Sequence, residues 1–228
     1  MQRAHHLVRH VKRKFVPIRF PEEFLHHHVP YFAQWESRDL VGDILKKKIS
    51  AKDDPRWKES GARTKDEYES WSWACCGMAC TKMLLAHTKG KVVPLVELAK
   101  KCTSYGGYTL PLENSKGLIY RPYVRFLKQE FGLKARVLER VSIEEIMSEL
   151  GKGKYIIASV NAMIRRPEST PSHTGGHLIL LLGYDNKKRE LYFHNPSGDL
   201  RKSQEYAVVS FDDFVKFFSG RCIVIAAI

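Results

Sequence analysis

Apolar residues change their spacing near residue 155, and the change divides the chain into a helical part and a sheet part. In residues 71–87, WSWACCGMACTKMLLAH, an apolar stripe of Cys76, Ala79, Cys80, Met83, Leu84 and His87 recurs every three or four positions. Thr81 and Lys82 fall off it. This spacing predicts a mostly buried helix beginning at the second of two adjacent cysteines. Pro94 suits the first position of a second helix whose stripe is Leu95, Leu98, Ala99 and Cys102. A third helix is expected from near Pro122, burying Tyr123, Phe126, Leu127 and Phe131 and stopping at Gly132. Residues 134–138 make a short strand. Ser142 and Glu145 have the spacing of a capping box, which opens a fourth helix ending at Gly151.

From residue 155 the pattern is that of strands. Tyr155–Val160, residues 177–184, Glu190–His194, residues 206–209 and residues 221–228 are expected as strands, with 161–176 a long loop and 185–188 a turn. Ser210 with Asp213 caps a short helix through Phe218 that ends at Gly220. Helices first and an antiparallel sheet second is an α+β layout. The first 70 residues carry weaker signals. Val29-Pro30-Tyr31-Phe32-Ala33-Gln34-Trp35 reads as a short extended segment, and 36–70 as an irregular insertion with one or two short helices, for example over 39–47. The expected organisation is a basic arm over 1–28 and one domain over 29–228.

Charge sharpens the reading of the arm. The formal net charge is +13, and residues 1–20 hold Arg3, Arg9, Lys12, Arg13, Lys14 and Arg19 with no acid. A solvated arm is the expected state, so nucleic acid is not the expected partner. If the arm did bind nucleic acid, binding would depend steeply on salt. His26-His27-His28 reads as an exposed run, because three consecutive histidines cannot face one metal from one helical turn. Five cysteines, two of them adjacent, do not make a disulfide framework. With no apolar run long enough to span a membrane and no signal-peptide pattern, the expected location is cytoplasmic. No cofactor or metal is expected.

The candidate chemistry begins at Cys76. A thiol in the first helical turn sits near unpaired backbone N–H groups and the positive end of the helix dipole, which favour thiolate. A buried cysteine is also an ordinary small hydrophobe. A base and an orienter come from the sheet part. If the turn after residue 184 centres between Asn186 and Lys187, cross-strand partners sum to about 373 in residue number. His177 then lies opposite residue 196, beside Asn195, and one hairpin carries an imidazole and an amide to hold it. Asn195-Pro196-Ser197-Gly198 also reads as a plain strand-ending turn.

Four stretches together resemble the papain-like cysteine peptidases, and most of all the branch of double-glycine (bacteriocin-processing) peptidases and their stand-alone bacterial relatives. Val29–Trp35 is similar to the segment bearing that branch's oxyanion-hole glutamine. Cys76-Gly77-Met78-Ala79-Cys80 resembles its nucleophile helix, Gly176-His177-Leu178 through Gly183-Tyr184-Asp185 its histidine strand, and Phe193-His194-Asn195-Pro196 the end of the next strand. The likeness covers roughly residues 29–228. It implies a papain-like fold, a peptide or protein substrate, and a site of Cys76, His177, Asn195 and Gln34. Trp73, Gly176 and Tyr108 are the residues expected to line the substrate cleft.

Two departures stand out. The family's glutamine usually lies shortly before the cysteine, whereas Gln34 is 42 positions upstream and Ser70 occupies the place six before Cys76. Cys75 offers a second thiol, although Gly77 directly after Cys76 matches the family's nucleophile. The rival readings are a peptidase-like domain that grips a peptide without cutting it, an acyl or peptidyl transferase using the same residues, and a zinc site on Cys75, Cys76, Cys80 and His177. The cysteine spacing is not that of a structural zinc site.

Overall fold

In the computed structural model, which describes residues 20–115 and 117–226, the first element is a short strand, β1 (Glu23–Leu25). It lies within the stretch expected as arm, and residues 1–19 are outside the described part. The inserted segment holds α1 (Val41–Leu45) and α2 (Lys65–Ser72), with 3-10 turns around them. Then come α3 (Cys76–Lys89), α4 (Leu95–Ser104) and α5 (Tyr120–Phe131). Strand β2 (Ala135–Glu139) and α6 (Ile143–Leu150) lead into β3 (Tyr155–Val160), β4 (His177–Asp185), β5 (Glu190–His194) and β6 (Ala207–Ser210). Helix α7 (Phe211–Phe217) and β7 (Phe218–Ile225) close the chain.

The strands form one antiparallel sheet in the order β2-β7-β3-β4-β5-β6, with β1 paired to the far end of β4. Alternation along the central strands explains why both faces are covered. Leu178, Leu180 and Leu182 of β4, Ile157 of β3 and Ile223 and Ile225 of β7 pack with α3, α4 and α5. Ile179 and Leu181, Ile156 and Ala158, and Val224 point the other way, into a second core with α6 and α7. A buried leucine contributes about 1.5–3 kcal/mol, so a strand apolar on both faces is a centre of the fold. This is the α+β architecture that the order of elements predicts.

Several boundaries differ from the sequence expectation for local reasons. Pro94 caps α4 from outside, with ψ at 138°, instead of sitting in its first turn. Helix α7 stops at Phe217, and β7 takes over Phe218 to Gly220, where Gly220 has φ of +73°. Helices α1 and α2 fall in the segment expected to hold one or two short helices, and α2 opens at Thr64, which accepts a bond from the Glu67 N–H and supplies its N-cap.

The inserted segment has a small core of its own. Trp35, Val41, Ile44, Ala51 and Tyr68 cluster there. Buried Asp54 ties it together, accepting from Ser37 N and Oγ, Arg56 N and Tyr68 Oη. Burial alone would raise that carboxyl's pKa, but these bonds hold it below the usual range.

Candidate active site

Helix α3 is enclosed on nearly all sides, and that places its first residue. The apolar stripe faces the sheet, but Thr81 and Lys82 are buried as well. Thr81 bonds the Gly77 carbonyl and the Tyr123 hydroxyl. Lys82 Nζ lies 3.0 Å from Glu36 Oε2 in a pair whose side chains are each only 6% exposed. Gly77 allows the close approach to β4, since a Cβ there would sit 2.9 Å from Leu178 Cδ1 and 2.7 Å from Leu118 Cδ2. The neighbouring thiols are thereby separated. Cys75 and Cys80 are buried, with Cys80 Sγ 3.7 Å from the Leu178 carbonyl, while Cys76 keeps partial exposure.

His177 starts β4. The β4–β5 register pairs Leu180 with His194 and Leu181 with Phe193, and continued past the end of β5 it puts His177 opposite Ser197. That is one position beyond the partner expected from the turn. The imidazole still reaches Asn195, with Nε2 2.8 Å from Oδ1, and Ser197 Oγ lies 3.2 Å from the same nitrogen. The Ser197 N–H also donates to Asn195 Oδ1 at 3.1 Å, which fixes that atom as the oxygen. Nε2 therefore carries the proton and Nδ1 is left as the acceptor. In sequence Ser197 belongs to a strand-ending turn, and only the three-dimensional structure puts its side chain beside the imidazole.

Cys76 and His177 line one cavity of about 480 Å³, together with Gly176, Leu118, Tyr120 and Ser159. Ser159 sits at the irregularity where the β3–β7 register shifts between Ala158 and Val160. A second cavity of about 620 Å³ holds Trp73, which is 48% exposed, with Glu69, Leu112 and Glu113. Gly117 and Gly176 line both cavities and so stand where they meet. Gly176 has φ of +92°, a conformation that favours glycine. Tyr108 does not reach this cleft. It is buried, with its ring edge-on to Trp71 and its hydroxyl 3.3 Å from the Ala74 carbonyl, and so supports the approach to α3 from below.

Gln34 returns to the base of the same helix despite its distance in sequence. Its backbone N–H donates to the Pro196 carbonyl, next to Asn195, and its Nε2 donates to the Ser72 carbonyl at 2.9 Å. The inserted segment thus leaves after Gln34 and comes back four residues before Cys76. His194 anchors the other side of this strand: Nε2 donates to the Val29 carbonyl and Nδ1 accepts from the Tyr206 N–H.

The electrostatics favour neutral groups at rest. Enclosure pushes the Cys76 thiol pKa up, while backbone N–H groups of Leu178, Gly77 and Cys76 pull it back. Cys75 and Cys80 are pushed well up by burial. Burial takes His177 down to about 4 against the pull of Asn195, and the nearby Arg165 guanidinium lowers it further. Among the described residues, no group of three or more His, Cys, Asp or Glu side chains is placed to hold a metal ion.

A family model described as Peptidase_C39 like family matches residues 27–220. The chain belongs to that family. A C39-like peptidase from Bacillus anthracis shares the fold, with a TM-score of 0.55 at 16% identity over 90% of this chain and 98% of that one. The peptidase domain of Streptococcus ComA, a bi-functional ABC transporter involved in quorum sensing, gives 0.46 at 16% identity, covering 68% and 93%. A double glycine motif protease from an AMS/PCAT transporter, solved with its leader peptide, gives 0.42 at 19% identity, covering 67% and 84%. No curated protein matches the chain. No helix among the described residues of this C39-like chain is long and apolar enough to cross a membrane.

Proposed function

We propose that this chain is a cysteine peptidase whose nucleophile is Cys76, whose general base and acid is His177, and whose orienter is Asn195. One observation carries the reading. The partly exposed cysteine and the imidazole held by Asn195 at 2.8 Å line the same cavity. His177 Nδ1 takes the thiol proton as Sγ bonds the substrate carbonyl carbon. The carbonyl oxygen becomes an oxyanion, which the Cys76 N–H and the second N–H of Gln34 Nε2 stabilise. The imidazolium then protonates the amine as the C–N bond breaks, leaving an acyl thioester on Cys76. Water attacks that thioester with His177 again as base, and the acid and the thiol are released. Because burial favours neutral groups, the thiolate forms as attack begins and is not stored beforehand. Trp73 and Gly176 contribute the cleft wall.

The test is cleavage of a peptide library by the wild type beside Cys76→Ala, with iodoacetamide labelling of the wild type and His177→Ala. The expected result is cleavage lost in Cys76→Ala and labelling of Cys76 slowed in His177→Ala. If the wild type cleaves no peptide and its Cys76 labels no faster than in His177→Ala, the peptidase reading falls and a peptide-binding module replaces it. Transfer of the acyl group to an added amine, in preference to water, would instead mark a transferase.

A further inference from the structure

The cavity holding Cys76 and His177 is unevenly charged. Arg121, in the first turn of α5, and Arg221, on β7, both line it. Among the described residues neither has a carboxylate within 4.0 Å. Six other arginines do: Arg38, Arg56, Arg136, Arg166, Arg189 and Arg201 each sit against an acid. Glu139 is the one carboxylate among the described lining residues. It stands opposite Arg221 in the β2–β7 register yet outside ion-pair distance. Arg221 is exposed, and its guanidinium lies 5.8 Å from the centre of the ring of Tyr120, which lines the same cavity. The α5 N-terminus has neither an acid in its first turn nor a side-chain cap, so its dipole adds to the same positive field. Across Gly117 and Gly176 the sign reverses. The Trp73 cavity is lined by Glu69 and Glu113 and by no arginine or lysine among the described residues.

We propose that the Cys76 cavity is a specificity subsite for an acidic side chain, aspartate or glutamate, on a substrate residue close to the scissile bond. Arg121 and Arg221 bind the carboxylate, and Leu118 and Val137 meet its methylenes. An Arg–carboxylate contact is charge-assisted and directional, and at a partly open rim it gives a preference of about tenfold over a neutral isostere. The subsite rests on the reading of Cys76 and His177 as the reacting pair.

The experiment scans glutamate, glutamine and lysine through each position of a labelled peptide series. Binding to the Cys76→Ala protein is read by fluorescence anisotropy, and cleavage by the wild type is read in parallel. The expected result is one position at which glutamate is favoured about tenfold over glutamine, weakening as salt is raised. Arg221→Glu and Arg121→Glu turn that preference toward lysine, and Arg221→Gln removes it with less risk to folding, which circular dichroism checks. No glutamate preference in either readout overturns the subsite, as does a preference unchanged in Arg221→Glu and Arg121→Glu. Cleavage without an acidic preference sinks the subsite and spares the peptidase. An acidic preference in binding, with no cleavage by the wild type, sinks the peptidase and spares the subsite.

Discussion

The imidazole of His177 is held at one nitrogen by two oxygens, and they are not equivalent. Asn195 Oδ1 is closer and is itself fixed by the Ser197 N–H, while Ser197 Oγ is 3.2 Å away and is shared with Arg165 Nη2 at 3.4 Å. Losing the partner of a buried donor costs about 1–3 kcal/mol. Asn195→Ala is therefore expected to lower kcat/KM by roughly 10- to 100-fold at constant fold, and Ser197→Ala by much less. Steady-state kinetics on both variants check this, and the reverse order would move the orienting role to Ser197. Gln34 carries a separate prediction. Its Nε2 spends one N–H on Ser72, and its Oε1 has no hydrogen-bond partner among the described residues. Removing an oxyanion donor typically costs about 3 kcal/mol of barrier, so Gln34→Ala should reduce kcat by about 100-fold with little change in KM. A rise in KM alone would assign the residue to packing. The cysteine, the histidine and the asparagine were legible in the sequence because each sits beside a local signal: a helix start, a strand start and a strand end. Ser197 and the burial of Tyr108 had no such signal, since both depend on where distant chain segments pass.

Helix α3 shows how an element can be read correctly on one face and wrongly on another. The stripe of residues 76, 79, 80, 83 and 84 packs on the sheet as its spacing predicts. Lys82 is off that stripe, yet it is buried because the inserted segment covers the opposite face and brings Glu36 to it. No periodicity within the helix reports a cover that arrives from some 46 residues away. The ion pair then has a consequence for the site, because Glu36 is two residues from Gln34. Burial pushes the Glu36 carboxyl's pKa up and the Lys82 ammonium brings it partly back. Breaking a buried pair from one side costs about 3–5 kcal/mol, so Lys82→Ala should destabilise by that order and lower kcat as Gln34 loosens. In the double variant Lys82→Met with Glu36→Leu no uncompensated charge remains, and most of that stability should return. Urea denaturation of the single and double variants measures both. Equal stability loss in the two would mean that packing, and not charge, holds the insertion to the helix.

For the whole molecule, the order of helices and strands from residue 76 on was legible because both faces of the central strands are apolar and each helix from α3 to α7 has a start, stop or cap signal. The sheet order was not, since pairing β7 between β2 and β3 is a long-range choice. Nor was the joining of Glu23–Leu25 to β4, which needs Gly183: a Cβ there would meet the Phe24 carbonyl oxygen at 2.2 Å. This assembly buries His177 and His194 and partly buries His26, and burial lowers the pKa of all three. A histidine with a folded pKa below its unfolded value binds its proton more readily in the unfolded chain. Its contribution to stability is then complete above the unfolded value of about 6.5 and is lost as pH falls toward the folded value. For His177, with a folded value of about 4, the loss across that window is on the order of 3 kcal/mol. Glu149 is affected at lower pH. Burial would raise its pKa, but Lys154, Lys152 and Arg136 hold it down to about 2, so its contribution is lost only as pH falls below the ordinary carboxylate range. The protein should therefore show level stability between about pH 7 and 8, a decline on the acid side beginning near 6.5 and a further decline below about 4.5. Replacing His177 by Gln removes one titrating group, so the slope between pH 6.5 and about 4 should flatten by up to roughly 1.4 kcal/mol per pH unit. Urea unfolding of the wild type and His177→Gln across that range measures the slopes. Identical slopes would mean that His177 is as exposed to protons in the folded protein as in the unfolded chain, against its enclosure beside Asn195.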